Sequence, residues 1–132
     1  MPRTGVSLRL VSSFAFIVFA LLGTSCSVGS GCKDTDLQSS RSPDGLTTGS
    51  VSTVNCGATT GFFSYVKIKT DQVRLRDDGV LFAYKGSPNL SLIWSGPKNL
   101  RIECTSGCTE NKIYRQVTKE GDYTIEYSGF AP

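Results

Sequence analysis

Two hydrophobic patterns divide the chain. Leu10 to Leu22 is an unbroken, uncharged run of 13 residues, whereas from Leu46 onward no apolar stripe at helical spacing runs for a useful length and alternation takes over. In a strand, successive side chains point to opposite faces. Phe62, Ser64, Val66 and Ile68 therefore share one side, and Phe63, Tyr65, Lys67 and Lys69 the other. Val73 and Leu75 alternate with Arg74 and Arg76, Asp77-Asp78-Gly79 makes a turn, and Val80, Phe82 and Tyr84 alternate beyond it, which predicts a hairpin. Leu90, Leu92 and Trp94, then Leu100, Ile102 and Cys104, then Ile113, Arg115 and Val117, then Tyr123, Ile125 and Tyr127 continue the pattern. The first strand is expected over Leu46 to Val54. Seven or eight short strands separated by Gly, Pro, Asn and Asp predict an all-β fold, a single antiparallel sandwich or barrel-like domain.

The N-terminal run has a different meaning. Arg3 and Arg9 make a positive start, and the small residues Gly23-Thr24-Ser25 precede Cys26. A 13-residue stretch that includes Ser12 and Ser13 is too short for a spanning helix, which needs roughly 20 apolar residues. Residues 1–25 accordingly read as a signal peptide in helical form. A cysteine directly after small residues suggests a bacterial lipoprotein signal with Cys26 as the acylated residue, although Gly23 stands where such a signal has an aliphatic residue. Gly23 and Ser25 also suit ordinary secretory cleavage, so the expected location is exported, either membrane-anchored by lipid or as a soluble periplasmic or secreted protein. Residues 26–42, rich in Gly, Ser, Asp and Lys, are expected to be a flexible tether, with the all-β domain over 43–132.

Charge and cysteine content narrow the chemistry. Of 132 residues, 14 are Lys or Arg, 11 are Asp or Glu and none is His. Triads built on imidazole, His metal ligands and a histidine pH switch are thereby excluded. Loss of residues 1–25 removes Arg3 and Arg9, leaving 12 basic and 11 acidic side chains, no basis for nucleic-acid binding. Acylation of Cys26 leaves Cys32, Cys56, Cys104 and Cys108, an even set with three connectivities. Pairing Cys32 with Cys56 and Cys104 with Cys108 is favoured, the second pair flanking Thr105-Ser106-Gly107 as a hairpin loop. A four-cysteine zinc site is the alternative, and it lacks the two close C-x-x-C pairs that such sites usually offer. No metal or other cofactor is expected.

Two patches exceed strand filler. Ser42-Pro43-Asp44-Gly45 is a tight turn before the first strand. In Cys56-Gly57-Ala58-Thr59-Thr60-Gly61-Phe62, the residues Gly57 to Gly61 either reverse the chain or present backbone N–H groups and hydroxyls to a ligand, a candidate binding loop. Together with Leu92-Ile93-Trp94, Leu100-Arg101-Ile102 and Tyr123-Thr124-Ile125-Glu126-Tyr127, these patches resemble a family of small, uncharacterised bacterial envelope proteins over residues 32–127, Cys-Gly-Ala-Thr-Thr being the most specific piece. The Thr/Ser-rich stretch Leu46 to Val54 and the pair Cys104 and Cys108 depart from that pattern. The resemblance implies location and architecture, and no activity.

Catalytic patterns are poor. Ser-x-x-Lys, the acyl-transferase spacing, occurs at Ser30-Lys33, Ser64-Lys67 and Ser95-Lys98, in a tether, a strand and a proline turn. Asp71, Asp77, Asp78, Glu103, Glu120, Asp122 and Glu126 supply a glycosidase-type carboxylate pair only if two converge. A non-catalytic module binding an envelope protein or glycan is therefore expected, with Phe63, Tyr65 and Tyr114 as candidate contacts. The alternatives are a histidine-independent envelope hydrolase or transferase, and an inhibitor of an envelope enzyme.

Overall fold

The alternating segment at Phe62 forms strand β3 (Phe62–Thr70), and its neighbours build outward from it in a computed structural model that describes residues 31–132. Residues 1–30 lie outside the description, and with them the signal peptide, its helix and Cys26. The other strands are β1 (Lys33–Arg41), β2 (Thr47–Asn55), β4 (Val80–Lys85), β5 (Asn89–Gly96), β6 (Asn99–Ser106), β7 (Ile113–Gln116), β8 (Lys119–Glu120) and β9 (Tyr123–Ser128). They form a five-stranded sheet in the order β1-β2-β3-β4-β7 and a four-stranded sheet in the order β5-β6-β9-β8. The all-β expectation is met by these two sheets, which pack as a sandwich. Among the described residues no helix is long and apolar enough to cross a membrane.

The core is built on the inward positions that the alternation marked, with Leu81, from the opposite phase of β4, added where the register between β3 and β4 shifts. Val66, Leu81, Phe82, Tyr84, Leu100, Ile102, Tyr123 and Ile125 are all almost fully buried. Gly49 on β2 faces this core because a Cβ there would crowd Leu92 of the opposite sheet, and the missing side chain lets Leu92 and Trp94 approach. Trp94 donates its indole N–H to the Ser40 carbonyl at 3.3 Å, tying β5 to β1. Two phenols bridge the layers. Tyr123 OH lies 2.6 Å from Thr47 Oγ1, and Tyr127 OH reaches the carbonyls of Val117 and Leu81 at 2.7 and 3.2 Å.

Four local expectations require correction. Residues 33–41, placed in the tether, are β1, which pairs along its length with β2. Asp34 and Asp36 alternate with Thr35 and Leu37, and backbone groups on the outer edge of β2 gain partners when the polar segment pairs. Val73 and Leu75 are not a strand; they lie in the loop between β3 and β4 and pack against the core, while the Arg76 N–H donates to the buried Glu120 carboxylate at 2.6 Å. The turn at Ser42 closes the hairpin between β1 and β2 instead of preceding the first strand, with the Gly45 N–H donating to the Ser42 carbonyl at 2.8 Å. Cys104 and Cys108 are bonded, but not across a hairpin. β6 pairs with β5 and, in parallel, with β9, so the chain beyond Cys108 leaves this sheet for β7 in the other.

Candidate functional site

β1 is an edge strand, and the second sheet covers it only near Ser40, leaving the Lys33 to Leu37 end open. Leu37 is 56% exposed and Phe62 50% exposed, although both lie along the inward side of the five-stranded sheet. A groove of about 320 Å³ opens there, lined by Lys33, Thr35, Leu37, Thr53, Asn55, Phe62 and Ser87. Its floor is β1 and β2, one wall is Phe62, and Ser87 comes from the link between β4 and β5. Lys33 is the one ionisable side chain of the lining. The groove thus combines two exposed apolar groups, several neutral hydrogen-bonding groups and one cation.

The Cys32–Cys56 disulfide fixes the mouth of this groove. The register sets Lys33 opposite Asn55, so Cys32 and Cys56 are the next cross-strand pair. The second expected pairing, Cys104–Cys108, is also formed. Both bonds suit the oxidising compartment that an exported chain meets.

From Cys56 the candidate loop carries the chain into Phe62, and Gly57, Ala58, Thr59, Thr60 and Gly61 are all exposed. Gly57 and Gly61 have φ of 110° and 72°, values that permit the reversal and that L side chains rarely adopt. Several of the donors expected to face a ligand serve the loop itself. The Gly57 N–H donates to Asn55 Oδ1 at 3.0 Å, and the Thr60 N–H and hydroxyl both approach the Gly57 carbonyl at 3.4 Å. The N–H groups of Ala58, Thr59 and Gly61 make no hydrogen bond among the described residues.

The acidic candidates are dispersed away from the groove. Asp77 pairs with Arg115 at 2.8 Å, and Glu120 holds the Arg76 N–H. Asp122 accepts from Lys98 Nζ at 2.9 Å, a hydrogen bond that holds its carboxyl below the usual range and raises the Lys98 ammonium. None of the seven carboxylates lines the groove, and no group of three or more metal-ligating side chains occurs among the described residues. Ser64 is buried and donates to the Gly86 carbonyl at 2.8 Å, on the opposite face of β3 from Lys67. Ser95 is exposed while Lys98 is engaged by Asp122; Ser30 lies outside the described residues.

Of the aromatic candidates, Phe63 and Tyr114 meet edge-on with centroids 5.8 Å apart, and Tyr65 lies on the same outer face of β3 as Phe63. The sequence reading missed Lys33, Thr35 and Leu37 because their polar surroundings resembled a tether. Their signal was the alternation itself, five residues long. No family model, no curated protein and no solved structure matches the chain.

Proposed function

We propose that the chain is an exported, non-catalytic binding module that takes its ligand in the groove beside β1, and that Cys26 carries a lipid holding it to a bacterial envelope membrane. The observation that carries the binding reading is the exposure of Leu37 and Phe62 on the inner side of a sheet, where a completed sandwich would cover them. Support for export comes from the N-terminal apolar run, the two disulfides and the resemblance of residues 32–127 to small envelope proteins. The exposed loop Gly57 to Gly61 beside the groove favours a related reading, an inhibitor that inserts this loop into a partner enzyme.

The apolar dye anilinonaphthalene sulfonate, whose sulfonate suits Lys33, tests the groove. Its fluorescence rises with the folded protein and falls for Phe62→Ser and Lys33→Ala; equal signals from all three proteins would refute the groove as a site. Capture of partners from an envelope fraction, compared between Leu37→Ser and Thr59→Ala/Thr60→Ala, separates groove from loop. Fatty-acid labelling tests the anchor, since Cys26→Ser abolishes incorporation if Cys26 is the acylated residue.

A further inference from the structure

The outer face of the five-stranded sheet carries a second surface, distinct from the groove. On β3, the side chains directed away from the core are Phe63, Tyr65, Lys67 and Lys69. Register with β4 sets Lys85 directly across from Phe63, and directly paired residues of antiparallel strands share a face. Tyr114, 65% exposed, leans edge-on against Phe63 from β7. Three rings and three ammonium groups therefore share one face, with the paired Arg115 at its β7 side and Asp34 and Asp36 two strands away on β1, so the cationic part is the β3–β4 half. Positions two apart on a strand are separated by about 7 Å and adjacent strands by about 5 Å. Lys67 Nζ lies 5.8 Å from the centroid of the Tyr65 ring, so charge and ring are already adjacent.

These cations are unspent. Among the described residues the ion pairs are Lys98–Asp122 and Arg115–Asp77, and neither involves Lys67, Lys69 or Lys85. Tyr114 at its exposure is not a core residue, and burial explains neither its size nor its position. A partner that satisfies both parts needs flat apolar faces and negative charge at intervals of a few ångströms. Sugar rings supply the first, since their C–H faces pack on aromatic rings and remove apolar surface from water. Carboxylate substituents supply the second. Nucleic acid fits less well, because its binding rests on a strong excess of cations and this chain has 12 basic against 11 acidic side chains beyond residue 25.

We propose that this face binds an acidic polysaccharide, with Phe63, Tyr65 and Tyr114 packing on sugar rings and Lys67, Lys69 and Lys85 meeting their carboxylates. Affinity electrophoresis of the full chain tests it in gels containing polygalacturonate (charged rings), dextran (neutral rings), polyphosphate (charge without rings) or oligothymidine. Polygalacturonate retards the protein in low salt, and retardation shrinks as ionic strength rises. Dextran and polyphosphate act at least about tenfold more weakly, and Tyr114→Ala or Lys67→Ala/Lys85→Ala each weakens polygalacturonate binding about tenfold. Thermal melting of both variants is expected to match the parent, since the altered side chains sit outside the core. Absence of retardation by polygalacturonate, equal retardation by polyphosphate or oligothymidine, or undiminished binding by folded variants would overturn the proposal.

Discussion

Thr47 Oγ1 and Tyr123 OH share a hydrogen bond of 2.6 Å, buried between the sheets and joining β2 to β9 across 76 residues of chain. Both residues are about 1% exposed, so neither hydroxyl has water as an alternative partner. Tyr123→Phe leaves the Thr47 hydroxyl unpaired and is expected to cost about 1–3 kcal/mol in urea unfolding. Thr47→Val costs a similar amount. The double variant is expected to lose clearly less than the sum, because removing both polar groups leaves nothing unsatisfied.

Gly79 has φ of +77° and follows Asp77 and Asp78, which are also left-handed at 43° and 54°. A Cβ at position 79 would run into the Ile68 carbonyl. Gly79→Ala is therefore expected to destabilise by at least about 2 kcal/mol, combining backbone strain with a collision that β3 cannot relieve. Gly61→Ala is the control, because its φ is +72° but nothing stands within 4 Å. It is expected to cost only about 1 kcal/mol, the backbone part alone. Equal losses in chemical unfolding would show that the collision at Ile68 is relieved.

Burial of the Tyr127 phenol pushes its pKa up to about 12, from an ordinary value of 10.0. The folded state holds this proton more tightly than the unfolded chain, so the associated stability is complete below about pH 10 and is lost as pH rises toward 12. Tyr127→Phe is expected to flatten that alkaline decline. It also removes one of the two acceptors of the Val117 N–H, the Leu81 carbonyl at 2.9 Å remaining, and strips the Val117 and Leu81 carbonyls of their phenol donor, lowering stability near neutrality by about 1 kcal/mol. At the acid end the sign reverses. The Ser42 hydroxyl and the Leu46 N–H hold the Asp44 carboxyl below its usual 3.8, so their contribution is present above that pH and fades below it. Melting points followed from pH 6 to pH 2 are expected to fall less steeply for Asp44→Asn.

The two disulfides close loops of different length, with sequence separations of 24 and 4. Loop-entropy scaling assigns roughly 3 kcal/mol to Cys32–Cys56 and roughly 2 kcal/mol to Cys104–Cys108. Cys32→Ser/Cys56→Ser is thus expected to melt lower than Cys104→Ser/Cys108→Ser. It is also expected to loosen the start of β1, read as faster amide exchange at Lys33 to Leu37.

How much of this was legible depended on whether a segment buries its pattern. Phe62 to Thr70, Leu90 to Trp94 and Tyr123 to Tyr127 declared themselves because alternate residues enter the core. Lys33 to Arg41 did not, since an edge strand that the second sheet covers only near Ser40 has no apolar residue to reveal except Leu37. Val73 and Leu75 misled in the opposite direction: two apolar residues with polar neighbours mimic a strand, yet they plug the core from a loop held by Glu120. Both favoured cysteine pairings form, although parity and spacing alone had left three connectivities open. The hairpin assumed for Cys104 and Cys108 does not, because the parallel neighbour of β6 comes from a strand formed after the chain has visited the other sheet. The candidate loop was visible in its glycines, whereas the groove beside it arises from where one sheet ends relative to the other, a relation no local pattern encodes.

That parallel pairing gives the end of the chain a particular task. β9 slots between β6 and the two-residue β8, so until Tyr123 to Ser128 arrives the second sheet is a lone β5–β6 ribbon, marginal by itself in water. Synthesis delivers this segment after β5 and β6. A chain cut short before Tyr123 would thus leave β6, with Leu100 and Ile102, as an open edge to any protease or chaperone nearby, which makes β9 the strand that closes this sheet.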